Sequence, residues 1–327
     1  MKSYACFLIG FSLLFATGCS RKNNDHPVVS QKYIHKYGYA VSQQEFEEQG
    51  YPGQVITVLK NGITTTSSYE DGELHGPCTE TYPNSQTLHS YSLYKHGDLV
   101  KQVLYDLSGM PLSEEIQLSD TRYSRTFWYA GGTPRSIEEY VGKELLEGQY
   151  FTTKNELESQ VFKGEGKRIK RDAQGVLLSK EEIKGGFTTF KESFYPNGSP
   201  ETIAHFLKGE LHGEKKTFSP TGEPLAVVHY VNGVPEGLAT FFKNGTREKE
   251  LYYINGMKNG VERHYVDGEI VSAEIFWTND QRHGPSTYYT EELAQVDYYY
   301  EGKPISKGRW EEYNRMDEMI AHMNDVD

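Results

Sequence analysis

The chain has 327 residues and is rich in glycine, with 32 residues, and in tyrosine, with 25. Only 36% of the residues are hydrophobic and the mean hydropathy is −0.67, so a large conventional core would be hard to fill. The formal net charge of −12 at pH 7 repels nucleic acid and anionic lipid, which argues against both as partners of the chain as a whole.

Residues 1–18 have the pattern of a signal peptide. Lys2 supplies a positive start, and the apolar run from Tyr4 to Ala16 is too short to span a membrane. We therefore expect this segment to be removed. Its removal takes away Lys2 and makes the mature chain one charge more negative.

The segment Phe15-Ala16-Thr17-Gly18-Cys19 resembles the bacterial lipobox, in which small residues precede a cysteine that receives diacylglycerol before cleavage. The resemblance implies that Cys19 is the lipidated N-terminus, although Ala16 stands where leucine is usual. Ser20 rather than aspartate follows, which by the same resemblance implies sorting to the outer membrane. Lipid chains anchor a protein because each buried methylene contributes about 0.8 kcal/mol. The alternative is an ordinary signal peptide with Cys19 present by coincidence.

Residues 19–35 are mostly polar, and we expect them to form the lipidated N-terminus and a flexible tether. Removal of Cys6 and lipidation of Cys19 would leave Cys78 as the only free thiol. No intramolecular disulfide could then form. Stability in an oxidising compartment must come from packing and backbone pairing.

A repeated motif dominates residues 36–308, where we count about twelve units. Each clear unit has an aromatic residue, two residues, a glycine, three residues and a second glycine. The position of the first glycine recurs every 21 to 25 residues, at 72, 97, 119, 142, 164, 185, 209, 233, 256, 280 and 302. The clearest copies supply four pairs of structural turn glycines: Gly72 and Gly76, Gly209 and Gly213, Gly233 and Gly237, Gly256 and Gly260.

Each unit is predicted to form a β-hairpin. Asn-Gly, Asp-Gly and Thr-Gly pairs between alternating aromatic-rich runs indicate tight turns with a positive φ. We interpret the Gly-x-x-x-Gly segment as a second turn that needs both glycines. A single hairpin cannot bury its apolar face, so we expect the aromatic side chains to stack on those of neighbouring units. The predicted fold is therefore all-β, an elongated antiparallel sheet of hairpin repeats, and a six-bladed propeller is the alternative.

These residues resemble the bacterial variant of the MORN repeat (membrane occupation and recognition nexus), which also occurs in antitoxin-like repeat proteins. The resemblance is strong at Gly72 and Gly76 and in the units between residues 206 and 268. It is weak between 97 and 175, where the second glycine is replaced by Lys101, Tyr123 and Leu146. The family implies an extended, twisted antiparallel sheet that serves as a scaffold or binding surface. It implies no catalytic residues.

Residues 309–327 lose the turn signals and are predicted to form a helix. Apolar residues recur there at a spacing of three and four, at Trp310, Tyr313, Met316, Ile320 and Met323. The segment follows the last hairpin, so we interpret it as a cap on the open sheet edge.

Candidate chemical sites are few. His75, His212 and His283 share one place in their units, but each unit of a linear stack adds roughly 10 Å, so these histidines would be too far apart to share a metal ion. Adjacent acids such as Glu181 and Glu182 point to opposite faces of a strand and cannot act as a pair. No Gly-x-Ser-x-Gly, His-Glu-x-x-His, phosphate-loop or dinucleotide-binding motif is present. We expect no enzyme, metal site or cofactor.

The sequence thus predicts a lipid-anchored interaction scaffold of the cell outer membrane, whose partner is an envelope or surface protein. We expect membrane contact through Cys19 alone and no nucleic acid. The basic cluster at Lys167, Arg168, Lys170 and Arg171 is interpreted as a solvated strand face. Two alternatives stay open: a structural or glycan-binding envelope protein that stacks sugars on tyrosine, and an enzyme carried by the less regular middle repeats.

Overall fold

The computed structural model describes residues 27–324, so residues 1–26, which include the predicted signal peptide and Cys19, and the final residues 325–327 lie outside the described part. The chain divides into two compact units. Within the described residues, unit 1 comprises 27–142 and 151–156, and unit 2 comprises 143–150 and 157–324.

Unit 1 is a ladder of antiparallel strands with one short helix, α1 (Gln43–Gln49). The strand order is β2-β1-β3-β4, after which the strands pair in chain order, with β5 and β6 both beside β4. The strands are β1 (Val28–His35), β2 (Ala40–Val41), β3 (Gly53–Leu59), β4 (Thr64–Glu70), β5 (Glu73–Leu74), β6 (Gly76–Thr81), β7 (Leu88–Lys95), β8 (Asp98–Tyr105), β9 (Pro111–Gln117), β10 (Arg122–Trp128) and β11 (Pro134–Val141).

Unit 2 continues the same plan and ends in a longer helix, α2 (Lys307–Asn324). Its first strand, β12 (Glu144–Phe151), has its last residue in unit 1. The others are β13 (Leu157–Phe162), β14 (Glu165–Arg171), β15 (Leu177–Lys184), β16 (Phe187–Phe194), β17 (Pro200–Leu207), β18 (Glu210–Phe218), β19 (Pro224–Val231), β20 (Val234–Lys243), β21 (Thr246–Ile254), β22 (Met257–Lys258), β23 (Gly260–Val266), β24 (Ile270–Thr278), β25 (Gln281–Tyr289), β26 (Ala294–Tyr300) and β27 (Lys303–Ile305).

The predicted all-β class, built from antiparallel hairpins, is confirmed. From β13 to β27 each strand pairs with its successor in the chain, with β22 and β23 both beside β21. A propeller would interrupt such a ladder after every fourth strand. The described part of unit 2 has no such break, so the propeller alternative is wrong for this ladder.

The first glycine of each clear pair lies in a two-residue hairpin turn. Between β19 and β20, Asn232 and Gly233 have φ of 49° and 82°, the two positive values that define a type I′ turn. The preceding residue is also left-handed before the other first glycines, with Asp71 at 54°, Lys208 at 50° and Asn255 at 50°. This turn suits a hairpin because its twist matches that of the flanking strands.

The second glycine lies in a β-bulge and not in the second turn that we expected. Val228 pairs with Ala239 whereas Tyr230 pairs with Pro235, so β20 carries two extra residues at this point. Gly237 lies within this bulge and has φ of 79°. The equivalent φ values are 94° at Gly76, 98° at Gly213 and 87° at Gly260. Glycine is favoured because the bulge requires a left-handed backbone, which residues with a side chain rarely adopt.

The middle repeats also form antiparallel hairpins, but their bulges contain fewer extra residues than those of the clear repeats. Leu93 pairs with Lys101 and Tyr94 with Leu99, so β8 carries one extra residue in place of two. Lys101, which stands where a second glycine was expected, therefore continues a regular strand.

Hydrogen bonds at the turns connect each repeat to the one before it. The backbone N–H of Gly233 donates to the Leu211 carbonyl at 2.8 Å, and that of Gly256 donates to the Pro235 carbonyl at 2.9 Å. Tyrosine hydroxyls make a second kind of link, in which Tyr195 donates to the Phe218 carbonyl at 2.9 Å. Because these bonds recur at the repeat period, each hairpin is held in place by its predecessor.

The N-terminal region differs from the prediction in two ways. Val28–His35 form β1 and pair with β3, so the tether expected over 19–35 cannot extend as far as residue 35. The first repeat also contains α1, which we did not expect. Ser42 caps this helix by accepting a hydrogen bond from the Glu45 N–H at 3.1 Å, and Gly50 ends it with a left-handed φ of 59°.

The predicted C-terminal helix is present as α2 and begins two residues earlier than expected. The Trp310 ring lies 5.4 Å from the Tyr298 ring, and the Tyr313 ring lies 4.7 Å from the Tyr300 ring. The helix therefore covers one face of β26, and its role as a cap of the sheet edge stays a prediction. The side chains of Ile320 and Met323 lie outside the described part.

We predict that Gly256→Val lowers the free energy of unfolding by about 1–3 kcal/mol, because φ is 81° there and a β-branched residue is strained at that angle. Urea denaturation followed by circular dichroism measures the change. Gly131→Val is the matched control, since Gly131 has no left-handed φ and an added Cβ meets no atom within 4 Å. Equal midpoints for both variants would count against the turn assignment.

Candidate interaction surface

The strands of unit 2 present two faces of different character. We call one the packed face, because five side chains of its central row are almost fully buried: Ala204, Ala239, Leu251, Ile275 and Ser286. Ladder pairs such as Ala239 with Leu251 and Ile275 with Ser286 place these side chains on the same side. We call the opposite side the open face, and it carries Leu238 and Tyr252.

A row of rings flanks the buried row of the packed face, and each ring lies opposite a bulge glycine. Gly213 pairs with Tyr230, Gly237 with Tyr253, and Gly260 with Trp277. A glycine leaves room for the large side chain on the neighbouring strand. The rings of successive repeats are two strands apart, roughly 10 Å, and glycines lie between them. Our expectation that the aromatic side chains of neighbouring units stack on one another is therefore wrong for this row.

Cations cover part of this ring row. The Lys258 Nζ lies 4.4 Å from the centroid of the Trp277 ring, and the Arg282 guanidinium lies 5.7 Å from the same ring and 5.1 Å from that of Tyr299. The Lys258 ammonium also reaches a carboxylate oxygen of the buried Glu262 at 3.3 Å. The packed face is thus occupied by its own side chains.

The most buried charge of the packed face is the carboxylate of Glu181, which is 3% exposed. It is bound by the Arg168 guanidinium, and the Lys170 and Lys191 ammonium groups lie 3.9 and 3.8 Å away. The Ser179 hydroxyl donates to it at 3.0 Å. Burial raises the pKa of Glu181, but the charges of Lys170, Arg168 and Lys191 outweigh burial and lower the pKa to about 2.

The basic cluster seen in the sequence is divided between the two faces. Arg168 and Lys170 lie on the packed face with Glu181, whereas Lys167 and Arg171 alternate to the open face. The Arg171 guanidinium binds Glu158 at 2.6 Å. The cluster therefore forms no single positive patch. Sequence reasoning missed the grouping of Glu181 with Lys191, because the contacts of these residues come from neighbouring strands.

The three corresponding histidines have different surroundings. His75 lies 3.4 Å from the Glu70 carboxylate, the His283 ring lies 4.8 Å from the Tyr300 ring, and the His212 Nδ1 is buried without a hydrogen-bond partner. Across residues 27–324, no three histidine, cysteine, aspartate or glutamate side chains are grouped so as to hold a metal ion. Neither helix in this part of the chain is long and apolar enough to cross a membrane.

The open face of unit 2 leaves large apolar side chains in contact with solvent. Leu238 is 53% exposed and Tyr252 is 47% exposed, and they lie side by side as a ladder pair. Other exposed apolar side chains on this face are Leu207, Val234, Ile254 and Met257. Alternation in the sequence could have suggested a second apolar face, but not its exposure.

A family model describes the repeated unit. The model of the MORN repeat matches residues 67–87 and 229–247. The chain carries MORN repeats at these two places. Each matched MORN repeat contains a type I′ turn and a bulge glycine, at Gly72 and Gly76 in unit 1 and at Gly233 and Gly237 in unit 2. A search of curated proteins finds no match to the chain.

We predict that Glu181→Gln lowers the free energy of unfolding by roughly 3 kcal/mol at pH 7, because it leaves three cations beside an uncharged group. The pKa is lowered by folding, so the stabilisation is present above the unfolded value near 4.3 and is lost as pH falls toward about 2.

Chemical denaturation between pH 7 and pH 2 tests this expectation, and the two unfolding curves should converge at the acid end. Glu182→Gln is the matched control, because Glu182 is exposed on the opposite face and should change stability by less than about 0.5 kcal/mol. A constant difference between wild type and Glu181→Gln at every pH would refute the assigned pKa.

Proposed function

We propose that this chain is a lipid-anchored scaffold of the bacterial cell envelope, and that it holds a partner protein on the open face of its MORN repeats. The exposed pair Leu238 and Tyr252, with its apolar neighbours, is the observation that carries the proposal. Contiguous apolar surface of this kind marks interaction sites in soluble domains. MORN repeats generally mediate protein or membrane interactions, which agrees with a scaffold role.

The proposal assigns membrane attachment to Cys19 and not to the repeats. The lipobox resemblance of Phe15–Cys19 supports the anchor. The acidic net charge opposes binding of the repeats to anionic lipid. The packed-face cations Arg168, Lys170 and Lys191 are already paired with Glu181, which weakens their attraction to a bilayer. The outer membrane is the expected location because Ser20 follows the cysteine.

The ring row of the packed face gives little support to the glycan-binding alternative. A sugar stacks on an open ring face, but Lys258 and Arg282 lie over Trp277 and Tyr299. The open face favours a protein partner because it combines exposed apolar side chains, including Leu238, Ile254 and Met257 around Tyr252, with exposed polar groups such as Glu214 and His229.

Lipidation is tested by metabolic labelling with a fatty acid. The wild type and Cys19→Ala are compared, and we expect label in the wild type alone. Cys78→Ala is the matched control, since its thiol is buried in β6 and the variant should still be labelled. Equal label in wild type and Cys19→Ala would refute the anchor.

The scaffold role is tested with the non-lipidated body, residues 20–327. We expect it to stay in the supernatant when spun with anionic vesicles at physiological salt, and to retain a specific envelope protein from a detergent extract. Retention should be lost when Leu238 and Tyr252 are both changed to glutamate. Salt-sensitive sedimentation with the vesicles, abolished by neutralising Lys170 and Lys191, would instead indicate a lipid-binding repeat protein. Sedimentation with envelope glycan would favour the glycan alternative.

A further inference from the structure

The chain's own helix α2 shows what the open face of unit 2 accepts. Trp310 packs on Tyr298, Tyr313 packs on Tyr300, and the Tyr300 hydroxyl donates to the Asp317 carboxylate at 3.1 Å. Residues 310, 313 and 317 share one side of a helix, at a spacing of three and four. The open face thus binds an amphipathic helix through aromatic contacts and one tyrosine hydroxyl.

The row that ends under α2 continues across the sheet to residues that nothing covers. Tyr298 pairs with Pro285, Phe276 pairs with Val261, and Tyr252 pairs with Leu238. The pairing of Glu250 with Arg263 places Tyr252 and Val261 in the same row. The row from Leu238 to Tyr298 crosses five strand spacings, roughly 24 Å. One end lies under Trp310, and the other end is solvated.

The uncovered end repeats the arrangement seen under α2. Tyr252 occupies the row of Tyr298, and Ile254 follows it by two residues as Tyr300 follows Tyr298. Both side chains are more than 40% exposed, although apolar groups of this size are normally covered.

We infer that the open face from β20 to β24 binds an amphipathic α-helix of the partner protein, with an aromatic residue of that helix seated on Tyr252. This inference rests on the proposed scaffold function and names the partner's chemistry. From Leu238 in β20 to Phe276 in β24 is three strand spacings, about 14 Å, which matches roughly 10 helical residues.

A helix fits this surface better than a strand or a lipid. A peptide strand binds by pairing with a free sheet edge, but these residues lie in the interior of the ladder, where the backbone is paired on both sides. In the next row of the open face, the carboxylates of Glu250 and Glu274 are paired with the Arg247 and Arg263 guanidiniums, so these cations attract an anionic lipid headgroup only weakly. A helix can bury the apolar row and keep its polar side in water.

The experiment uses the non-lipidated full chain and a fluorescent peptide with the sequence of residues 306–324, which serves as a model amphipathic helix. We expect saturable binding by anisotropy and a gain of helicity by circular dichroism. Leu238→Glu and Tyr252→Glu should each weaken binding by about tenfold or more. Leu107→Glu, at an exposed leucine in a turn of unit 1, is the matched control and should bind normally. A peptide with Trp310→Ala should bind weakly.

Three results would overturn the inference. These are no saturable binding, equal binding by wild type and the Leu238→Glu variant, or binding to vesicles that Leu238→Glu abolishes. Dimers in sedimentation velocity that Tyr252→Glu dissolves would show that a second copy occupies the face. Each variant is first shown to keep the wild-type midpoint of unfolding.

The scaffold proposal can fail separately. If the change of both Leu238 and Tyr252 to glutamate abolishes retention of the envelope protein but the peptide does not bind the wild type, the scaffold stands and the helix site falls. If the peptide binds as expected but no envelope protein is retained, the helix site stands and the scaffold falls.

Discussion

The structure depends on a backbone constraint: the chain must take left-handed φ values at fixed places so that hairpins follow one another without a break. The type I′ turns, such as Asn232 and Gly233, reverse the chain with the twist that flanking strands require. The same glycine N–H then donates to the carbonyl of the preceding repeat. The same turn residues therefore set the turn geometry and link one repeat to the next. This explains why the residues between the glycines can differ from one repeat to another.

The bulge glycines turn this ladder into a surface with two unlike sides. Two extra residues at Gly237 leave space opposite Tyr253, so the ring lies against the packed face beside a row of small or aliphatic side chains. Cations and buried carboxylates then occupy what remains of that face. Because a single sheet layer has no second layer to cover its other side, apolar groups such as Leu238 stay exposed unless a helix covers them, as α2 covers Tyr298.

Charge has a structural role on the packed face. Glu181 is stable as a carboxylate only because Arg168, Lys170 and Lys191 surround it. Removing the carboxylate, or removing the cations, would leave buried charge without a partner. The segment that is most basic in the sequence is thereby neutralised in the fold. The recognition surface that we propose for unit 2 is therefore the apolar open face and not a charged patch.

The sequence by itself determined the repeat period, the all-β class, the tight turns with positive φ and the C-terminal helix, because turn chemistry and helical spacing are local properties. Only the tertiary structure decided which face each side chain takes. Extra residues at bulges such as that of Gly237 change the pairing register. The alternation of apolar and polar residues in the sequence does not reveal them. The partners of Glu181, the strand at Val28–His35 and the exposure of Tyr252 follow from neighbouring strands, so no local pattern could show them.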